Sequence, residues 1–256
     1  MNAKLLDVRR VLRGARRTVL DRLYPANAFL GVYGDFAEAQ KNAPATKALG
    51  YDLAGSEDWY QNKIHDVLPE DYPVLFWLRS ALADSRSVFE IGGHIGEAHY
   101  AFGRLLTFSP NLSWTILDVP TIVEKGKALA RERGANNLDF VSSVDQVEGA
   151  DILFAAGALQ YIEKPSLAET IAGFSVQPKH ILINVTPVYD GPAFVTLQNI
   201  GSAYCPYRIF NRDELVQSLK ALGYRLVDAW HKDRKFKVRF YPDKSFDRYS
   251  GFYFTR

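Results

Sequence analysis

The residues with the clearest chemical purpose lie in two short stretches. Val88-Phe89-Glu90-Ile91-Gly92-Gly93-His94-Ile95-Gly96 runs from an apolar strand into a glycine turn, and Trp114-Thr115-Ile116-Leu117-Asp118 is a second strand closed by a carboxylate. A chain that leaves a strand and reverses at once into a helix needs positive φ at some positions, which glycine supplies. Glycines also let backbone N–H groups approach a ligand. Asp118, at the end of the next strand, is placed to accept hydrogen bonds from the two hydroxyls of a ribose. A nucleoside-binding corner is therefore expected. A dinucleotide fingerprint, Gly-x-Gly-x-x-Gly, would need its first glycine where Ile91 stands, and no Gly-Lys-Ser/Thr of a P-loop is present.

What remains, acid-x-Gly-Gly-x-x-Gly, resembles motif I of the class I S-adenosylmethionine (SAM)-dependent methyltransferases. That resemblance implies SAM as cofactor and a cofactor loop made of Glu90, Gly92, Gly93, His94 and Gly96, with Asp118 on the ribose. His94 is a departure, because it replaces the middle glycine of the usual loop. The acid expected on the adenine side after the third strand is also absent; Ser142 and Ser143 stand there, with Asp145 nearby.

These residues require a scaffold. Strands are expected at 87–91, 113–117, 138–142, 151–156 and 180–185, with helices at 96–107, 120–133 and 165–175 between them. Short apolar strands alternating with helices imply a parallel sheet covered on both faces. Asn211 and Glu214 open a further helix that Gly223 ends. Strand-like segments at 224–230, 235–241 and 251–255 follow without helices between them and predict an antiparallel edge. The expected fold is α/β: a Rossmann-like class I methyltransferase arrangement with a mostly parallel seven-stranded sheet, an antiparallel C-terminal edge and an N-terminal helical cap. Residues 1–84 are expected to form the cap and 85–256 the SAM-binding domain. In the first third, short helices are expected from Asp35, Ser56 and Glu70, with loops between.

Ligands of open α/β sheets bind beyond the carboxyl ends of the strands. That rule adds Gly157, Gln160 and Tyr161, after the fourth strand, to the cofactor residues. It also places Asp190, after the fifth strand, as the first candidate for a general base, with His94 and His231 as the others. The stretch 186–211, holding Gln198, Tyr204, Tyr207 and Arg208, reads as a long connection of the kind that carries a binding loop. No Cys/His cluster has zinc spacing, and no set of carboxylates demands magnesium.

Composition narrows the function classes. With 47% hydrophobic and 13% aromatic residues in 256, the chain can bury a large core. A net charge of +2 gives no reason to expect nucleic acid as a partner. The one cysteine, Cys205, suits a reducing cytosol and reads as a small buried apolar residue. No apolar run approaches the ~20 residues of a membrane span, and there is no secretory segment. Residues 1–23 read as a basic amphipathic helix, either packed as a solvated helix on the body or in peripheral contact with an anionic membrane surface.

Over the range from Phe29 to the C-terminus, the sequence resembles a family of methyltransferases encoded in bacterial surface-polysaccharide (O-antigen and capsule) gene clusters. The residues that carry the likeness are Phe29-x-Gly31-x-Tyr33-x-x-Phe36-x-Glu38-Ala39, Gly50-Tyr51-Asp52, the glycine loop itself, Leu159-Gln160-Tyr161-Ile162-x-x-Pro165, Thr186-Pro187, Gln198 and Tyr204-x-Pro206. The resemblance implies O-methylation of a sugar or glycan intermediate with SAM as donor, in the bacterial cytoplasm or at the inner membrane surface. The Thr186-Pro187 turn lacks the arginine many relatives carry before it. Two other readings stay open: a methyltransferase-like binding or scaffold protein with a degraded site, and a nicotinamide-dependent oxidoreductase, which Ile91 disfavours.

Overall fold

The computed structural model describes residue 19, residues 23–52 and residues 66–256. The basic segment 1–23 lies outside these residues except for Val19 and Leu23, and so does the helix expected from Ser56. In chain order the elements are β1 (Phe29–Tyr33), α1 (Phe36–Lys41), β2 (Ala48–Leu49), α2 (Tyr72–Ala81), β3 (Ser87–Ile91), α3 (Glu97–Phe102), β4 (Ser113–Leu117), α4 (Pro120–Arg133), β5 (Leu138–Val141), β6 (Ile152–Ala156), α5 (Leu167–Gly173), β7 (His180–Thr186), β8 (Val188–Tyr189), β9 (Phe194–Asn199), β10 (Ala203–Asn211), α6 (Arg212–Ala221), β11 (Arg225–Val238) and β12 (Tyr241–Thr255). Among the described residues no helix is long and apolar enough to cross a membrane.

The chain divides into two compact units. Among the described residues, one comprises residues 52, 66–192, 210–234 and 247–256; the other comprises residues 19, 23–51, 193–209 and 235–246. This division does not follow a single cut at residue 84. Helix α2 packs in the larger unit, because Val74, Leu75, Leu78 and Ala81 complete the core under β3, β4 and β6.

In the larger unit the strand order is β5-β4-β3-β6-β7-β12-β11. The pairs β3–β4, β4–β5, β3–β6 and β6–β7 are parallel, and β12 runs antiparallel to β7. This is a seven-stranded, mostly parallel sheet with an antiparallel C-terminal edge. Alternation along the strands supplies both of its cores. Val88, Trp114, Ile116, Phe140 and Phe154 pack with α2, α3 and α4 on one face. Phe89, Ile91, Leu153, Ile181 and Ile183 pack with α5 and α6 on the other. Local signals set the helix limits. Pro120 occupies the first turn of α4, and Gly134, at φ 64°, ends it. Ser166 and Glu169 form a capping box on α5, and the Asn211 side chain accepts from the Glu214 N–H at 2.8 Å on α6.

The smaller unit is a β layer. β9 lies between β1 and β10 and runs antiparallel to both, while β2 adds to β10 and the end of β11 adds to β1. Leu30, Phe36, Ala39, Val195, Leu197 and Tyr204 form its core, and Phe236 stacks on Phe246 and meets Phe29 at a tilt, with ring centroids 4.6 and 4.3 Å away.

Three expectations are corrected here. The first third holds strands β1 and β2 besides its helices. The stretch 186–211 is three strands, β8, β9 and β10, instead of an irregular connection. Segments 224–230 and 235–241 are one strand, β11, which turns at Arg239-Phe240, where Phe240 takes φ 68°. All three concern strands whose partners are remote in sequence: Leu30 pairs with Leu197, and Phe29 with both Gln198 and Val238. Local periodicity carries no trace of such pairing.

Candidate functional site

The carboxyl ends of β3, β4 and β6 meet in the larger unit, and most of the cofactor residues expected from the sequence are brought together there. Glu90 and Trp114 sit on the same face of neighbouring strands, with Val88 paired to Trp114 and Glu90 to Ile116. The Trp114 indole Nε1–H donates to Glu90 Oε2 at 2.8 Å. Above the carboxylate lies Gly93: a Cβ there would stand 2.5 Å from Glu90 Cδ and 2.7 Å from Oε2. Gly93 is glycine because an acid occupies the space beneath the loop. Gly92 has φ 70°, and its missing side chain leaves room for Ala158 in the loop after β6. Gly96, at φ 101°, turns the chain into α3.

Asp118 holds this loop from the neighbouring strand. Its Oδ2 accepts the His94 backbone N–H at 2.9 Å and its Oδ1 accepts the Val119 N–H at 2.8 Å. Each oxygen keeps a further lone pair, as a carboxylate serving a diol requires. His94 itself is buried at φ 53°, with Nδ1 3.3 Å from Glu97 Oε1. After β6, Gly157 takes φ 64°, its N–H donates to the Asn184 carbonyl at 2.9 Å, and its carbonyl accepts from Gln160 Nε2. Gln160 is 3% exposed, and its Oε1 has no hydrogen-bond partner. Tyr161 closes the same 3-10 turn and is half-buried.

The electrostatics of this corner are those of acids short of a cation. Burial pushes Glu90 up to about 8; the Trp114 hydrogen bond opposes the shift, and Glu97 and Asp118 add to it. Burial likewise raises Asp118 to about 6, against its two backbone hydrogen bonds and with a further push from Asp52. Asp52 also hydrogen-bonds Thr121 Oγ1, at the start of α4. Burial lowers His94 to about 4, so its imidazole is neutral at physiological pH.

The three base candidates lie in different settings. Asp190 follows β8 with a side chain 90% exposed, and its Oδ1 is 3.4 Å from Arg212 Nε. His231 is exposed on β11. His94 is within the glycine loop. Ser142, Ser143 and Asp145 form a capped 3-10 turn, in which Gln146 Oε1 accepts both serine N–H groups at 3.1 Å. Gln198, Tyr204, Tyr207 and Arg208 belong to β9 and β10.

Sequence reasoning missed the parts played by Trp114, Glu97 and Asp52 here. The first was legible in principle. Trp114 and Glu90 have matching parity on adjacent strands, and a tryptophan that is fully buried needs an acceptor for its N–H. Among the described residues, no group of three or more His, Cys, Asp or Glu could hold a metal ion.

No protein-family model and no curated protein matches this chain. Solved structures do. The Burkholderia thailandensis 1,6-didemethyltoxoflavin-N1-methyltransferase, with 1,6-didemethyltoxoflavin and S-adenosylhomocysteine bound, superposes with a TM-score of 0.52 at 19% identity over 79% of this chain and 82% of that one. Magnesium protoporphyrin IX methyltransferase from Synechocystis PCC 6803, with SAM bound, gives a TM-score of 0.48 at 12% identity over 80% and 92%. The first of these, together with the strand order, identifies the fold as that of the class I, Rossmann-like methyltransferases.

Proposed function

We propose that this chain is a SAM-dependent methyltransferase acting on a hydroxyl of a small-molecule or glycan acceptor. The observation that carries the reading is the pair of carboxylates, Glu90 under Gly93 and Asp118 beside it, at the carboxyl ends of β3 and β4. Both are held above their ordinary range by burial, so a ligand that brings positive charge and a vicinal diol to this corner gains from each. SAM carries a sulfonium, an ammonium group and a ribose. A nicotinamide cofactor is disfavoured by Ile91, which stands where the dinucleotide fingerprint needs its first glycine.

The residues present fit the donor. Asp118 retains lone pairs for the ribose hydroxyls while its backbone bonds fix the loop. Glu90 packs under Gly93 and can take up the charge of a cationic donor. Gly157 and Gln160, whose Oε1 lacks a partner, form the facing wall. When bound, SAM supplies a methyl group on a sulfonium, which an oxygen nucleophile takes by in-line displacement. The protein's task is then to align the acceptor, exclude water and take one proton from the hydroxyl. We assign that proton to Asp190, which follows β7 and β8 on the carboxyl side of the sheet. His94 is buried inside the glycine loop, with Nδ1 3.3 Å from Glu97 Oε1, and His231 lies out on β11. A sugar hydroxyl on a surface-polysaccharide intermediate is the acceptor we favour; the support is the resemblance over the Phe29–Ala39, Leu159–Pro165 and Tyr204–Pro206 segments.

Calorimetry with SAM, S-adenosylhomocysteine and NAD tests the reading. Saturable binding of the first two, lost in Asp118→Ala, is the expected result. One observation favours a second reading, a methyltransferase-like binding protein with a degraded site: the buried imidazole of His94 stands within the loop. Silence with every nucleotide would select it. Asp190→Asn should lower turnover far more than donor affinity, and near-normal turnover would remove Asp190 from the reaction.

A further inference from the structure

In the smaller unit, β11 turns into β12 at Arg239-Phe240, and the turn carries aromatic side chains outward. Phe240 is 77% exposed, and Tyr241 beside it is exposed as well. The root of the turn is fixed: Val238 is buried and pairs with Phe29 of β1, and Phe236 is buried against Phe246. Phe240 takes φ 68°, a left-handed conformation that glycine or asparagine adopts at far lower cost. A bulky apolar residue here is disfavoured twice, by its backbone and by its exposure. Such breaches of local rules gather at functional sites.

A second segment meets the turn. Arg239 Nη1 donates to the Leu23 carbonyl at 2.8 Å, and its guanidinium lies 5.2 Å from the Phe240 ring and 5.9 Å from the Tyr24 ring. Leu23 is exposed, and so is Val19, four residues earlier and also helical. That spacing sets two side chains on one helix face. These two segments supply four of the five large apolar side chains exposed among the described residues of the smaller unit. The fifth, Leu49, is on β2, with β10, β9 and β1 between it and β11.

Cations surround the apolar tip. Lys235 and Lys237 alternate with the buried Phe236 and Val238, so they project to solvent on one face together with Arg239. None of the three pairs with a carboxylate among the described residues. The nearby acids have partners of their own: Asp243 is 3.7 Å from Lys244, and Asp233 is 3.7 Å from Arg248. Over residues 232–248, seven lysines and arginines stand against three aspartates. The sequence ahead of Leu23 has the same sign, with seven cations against Asp7 and Asp21.

Apolar side chains ringed by cations match a layered surface, anionic outside and hydrocarbon beneath. Nucleic acid would answer the cations but has no use for Val19 and Leu23, and Arg239 already covers one face of the Phe240 ring. A protein partner is disfavoured on area, since two aromatic side chains bury about 150–250 Å² each and a stable interface needs about 800 Å² per partner. We propose that the β11–β12 turn is a peripheral membrane contact. Phe240 and Tyr241 enter the headgroup region of an anionic bilayer, and Lys235, Lys237 and Arg239 meet its phosphates. The contact uses no residue of the donor corner, so it stands whether or not the methyltransferase reading does.

The test is co-sedimentation of the full-length protein with phosphatidylcholine vesicles, with and without phosphatidylglycerol as about one third of the lipid. Binding is expected on the anionic vesicles and should weaken as salt is added. Replacing both Lys235→Gln and Lys237→Gln should lower partitioning at least roughly tenfold. Phe240→Asn should lower it roughly tenfold as well. Asparagine accepts the left-handed turn, so that variant keeps the fold, which an unchanged thermal melt verifies. Several results would overturn the proposal. One is no binding to anionic vesicles. Another is unchanged binding in both variants, since attachment would then belong to the sequence ahead of Leu23. Tighter binding to a single-stranded oligonucleotide than to the vesicles, or a dimer in solution that Phe240→Asn dissociates, would assign the surface to a different partner. Vesicle binding by Asp118→Ala equal to that of the wild type separates this contact from the donor corner.

Discussion

Two buried polar centres stand on strands of the same sheet, and they are settled in opposite ways. At the end of β7, Asn184 is 1% exposed and fully partnered: Nδ2 donates to the Glu70 carbonyl at 3.2 Å and to Asp71 Oδ1 at 3.1 Å, and Oδ1 accepts from Trp230 Nε1 at 3.0 Å. At the end of β3, Glu90 is 2% exposed, has the Trp114 indole as its donor, and faces two more carboxylates. A neutral amide with its bonds made is an anchor. It ties the residues ahead of α2 to the sheet, and Lys232 on Glu70 reinforces the same join. A buried acid among acids is costly in its charged form until a cation arrives. The contrast separates a centre whose polar groups are satisfied from one whose acids are not, and the second is where we propose the donor binds.

The backbone follows the same division. The pairing of β7 with β12 slips between Ser250 and Phe252, and Val185 there takes φ 50°, a left-handed conformation that β-branched residues avoid. Gly251 opposite leaves space for the Trp230 indole, which a Cβ would meet. The strain is borne by a hub that is otherwise satisfied. At β3 the positive φ values fall mainly on Gly92 and Gly96, and the departure is His94.

The largest effect that would test this contrast is on donor binding. Glu90→Gln keeps the shape and the indole bond but removes the charge, and SAM affinity at pH 8 should fall at least roughly tenfold, the equivalent of about 1.4 kcal/mol. The same variant alters stability in the other direction. Glu90 has a folded value of about 8 against an ordinary 4.5, so the folded state holds the extra proton between those limits. Its contribution is therefore complete at low pH and is lost as pH rises through about 8, with a slope of up to about 1.4 kcal/mol per pH unit. Asp118, raised from 3.8 to about 6, acts with the same sign over its own lower window. Urea unfolding from pH 5 to 8 should show the decline in the wild type and a flatter profile in Glu90→Gln. SAM binding to the wild type in that range should release protons, seen as heats that differ between buffers of different ionisation enthalpy. Equal heats in all buffers would mean that Glu90 does not change protonation when SAM binds.

A smaller effect is expected for Gly93→Ala, whose Cβ meets the Glu90 carboxylate. It should destabilise by about 1–3 kcal/mol, as overpacked sites do, and lose donor binding with it. Asn184→Ala leaves Asp71 and Trp230 short of a partner and should cost about 2 kcal/mol in urea unfolding, with SAM affinity unchanged. A loss of SAM affinity there would break the distinction between anchor and binding site. The smallest change is Val185→Gly, which relieves the left-handed strain and should raise stability by about 1 kcal/mol.

Much of the larger unit was legible in the residues themselves. β3 and β4 were read at 87–91 and 113–117, α4 at 120–133, and the Asn211 cap of α6 at its true position, because each is announced within a few residues by apolar alternation, a proline or a capping side chain. In the candidate site, Glu90 and Asp118 were marked by their place after an apolar run. The hydrogen bond from Trp114 was missed, since it joins residues 24 apart in sequence. The strands of 186–211 were missed for a related reason. Phe194–Asn199 is buried throughout, without the one-sided alternation that marks a surface strand, and its neighbours are β1 and β10.

The order of residues alone determined the glycine turn, the acid that follows the next strand, the alternation of helix and strand, and the wrong spacing for a dinucleotide. Those depend on backbone conformation and on side chains a few positions apart, where sequence distance and spatial distance agree. Only the tertiary structure decided that Gly93 is small because a carboxylate lies under it, and that this carboxylate has two more acids and an indole donor around it. Burial and charge balance are properties of neighbourhoods assembled from remote segments, and folding creates those neighbourhoods.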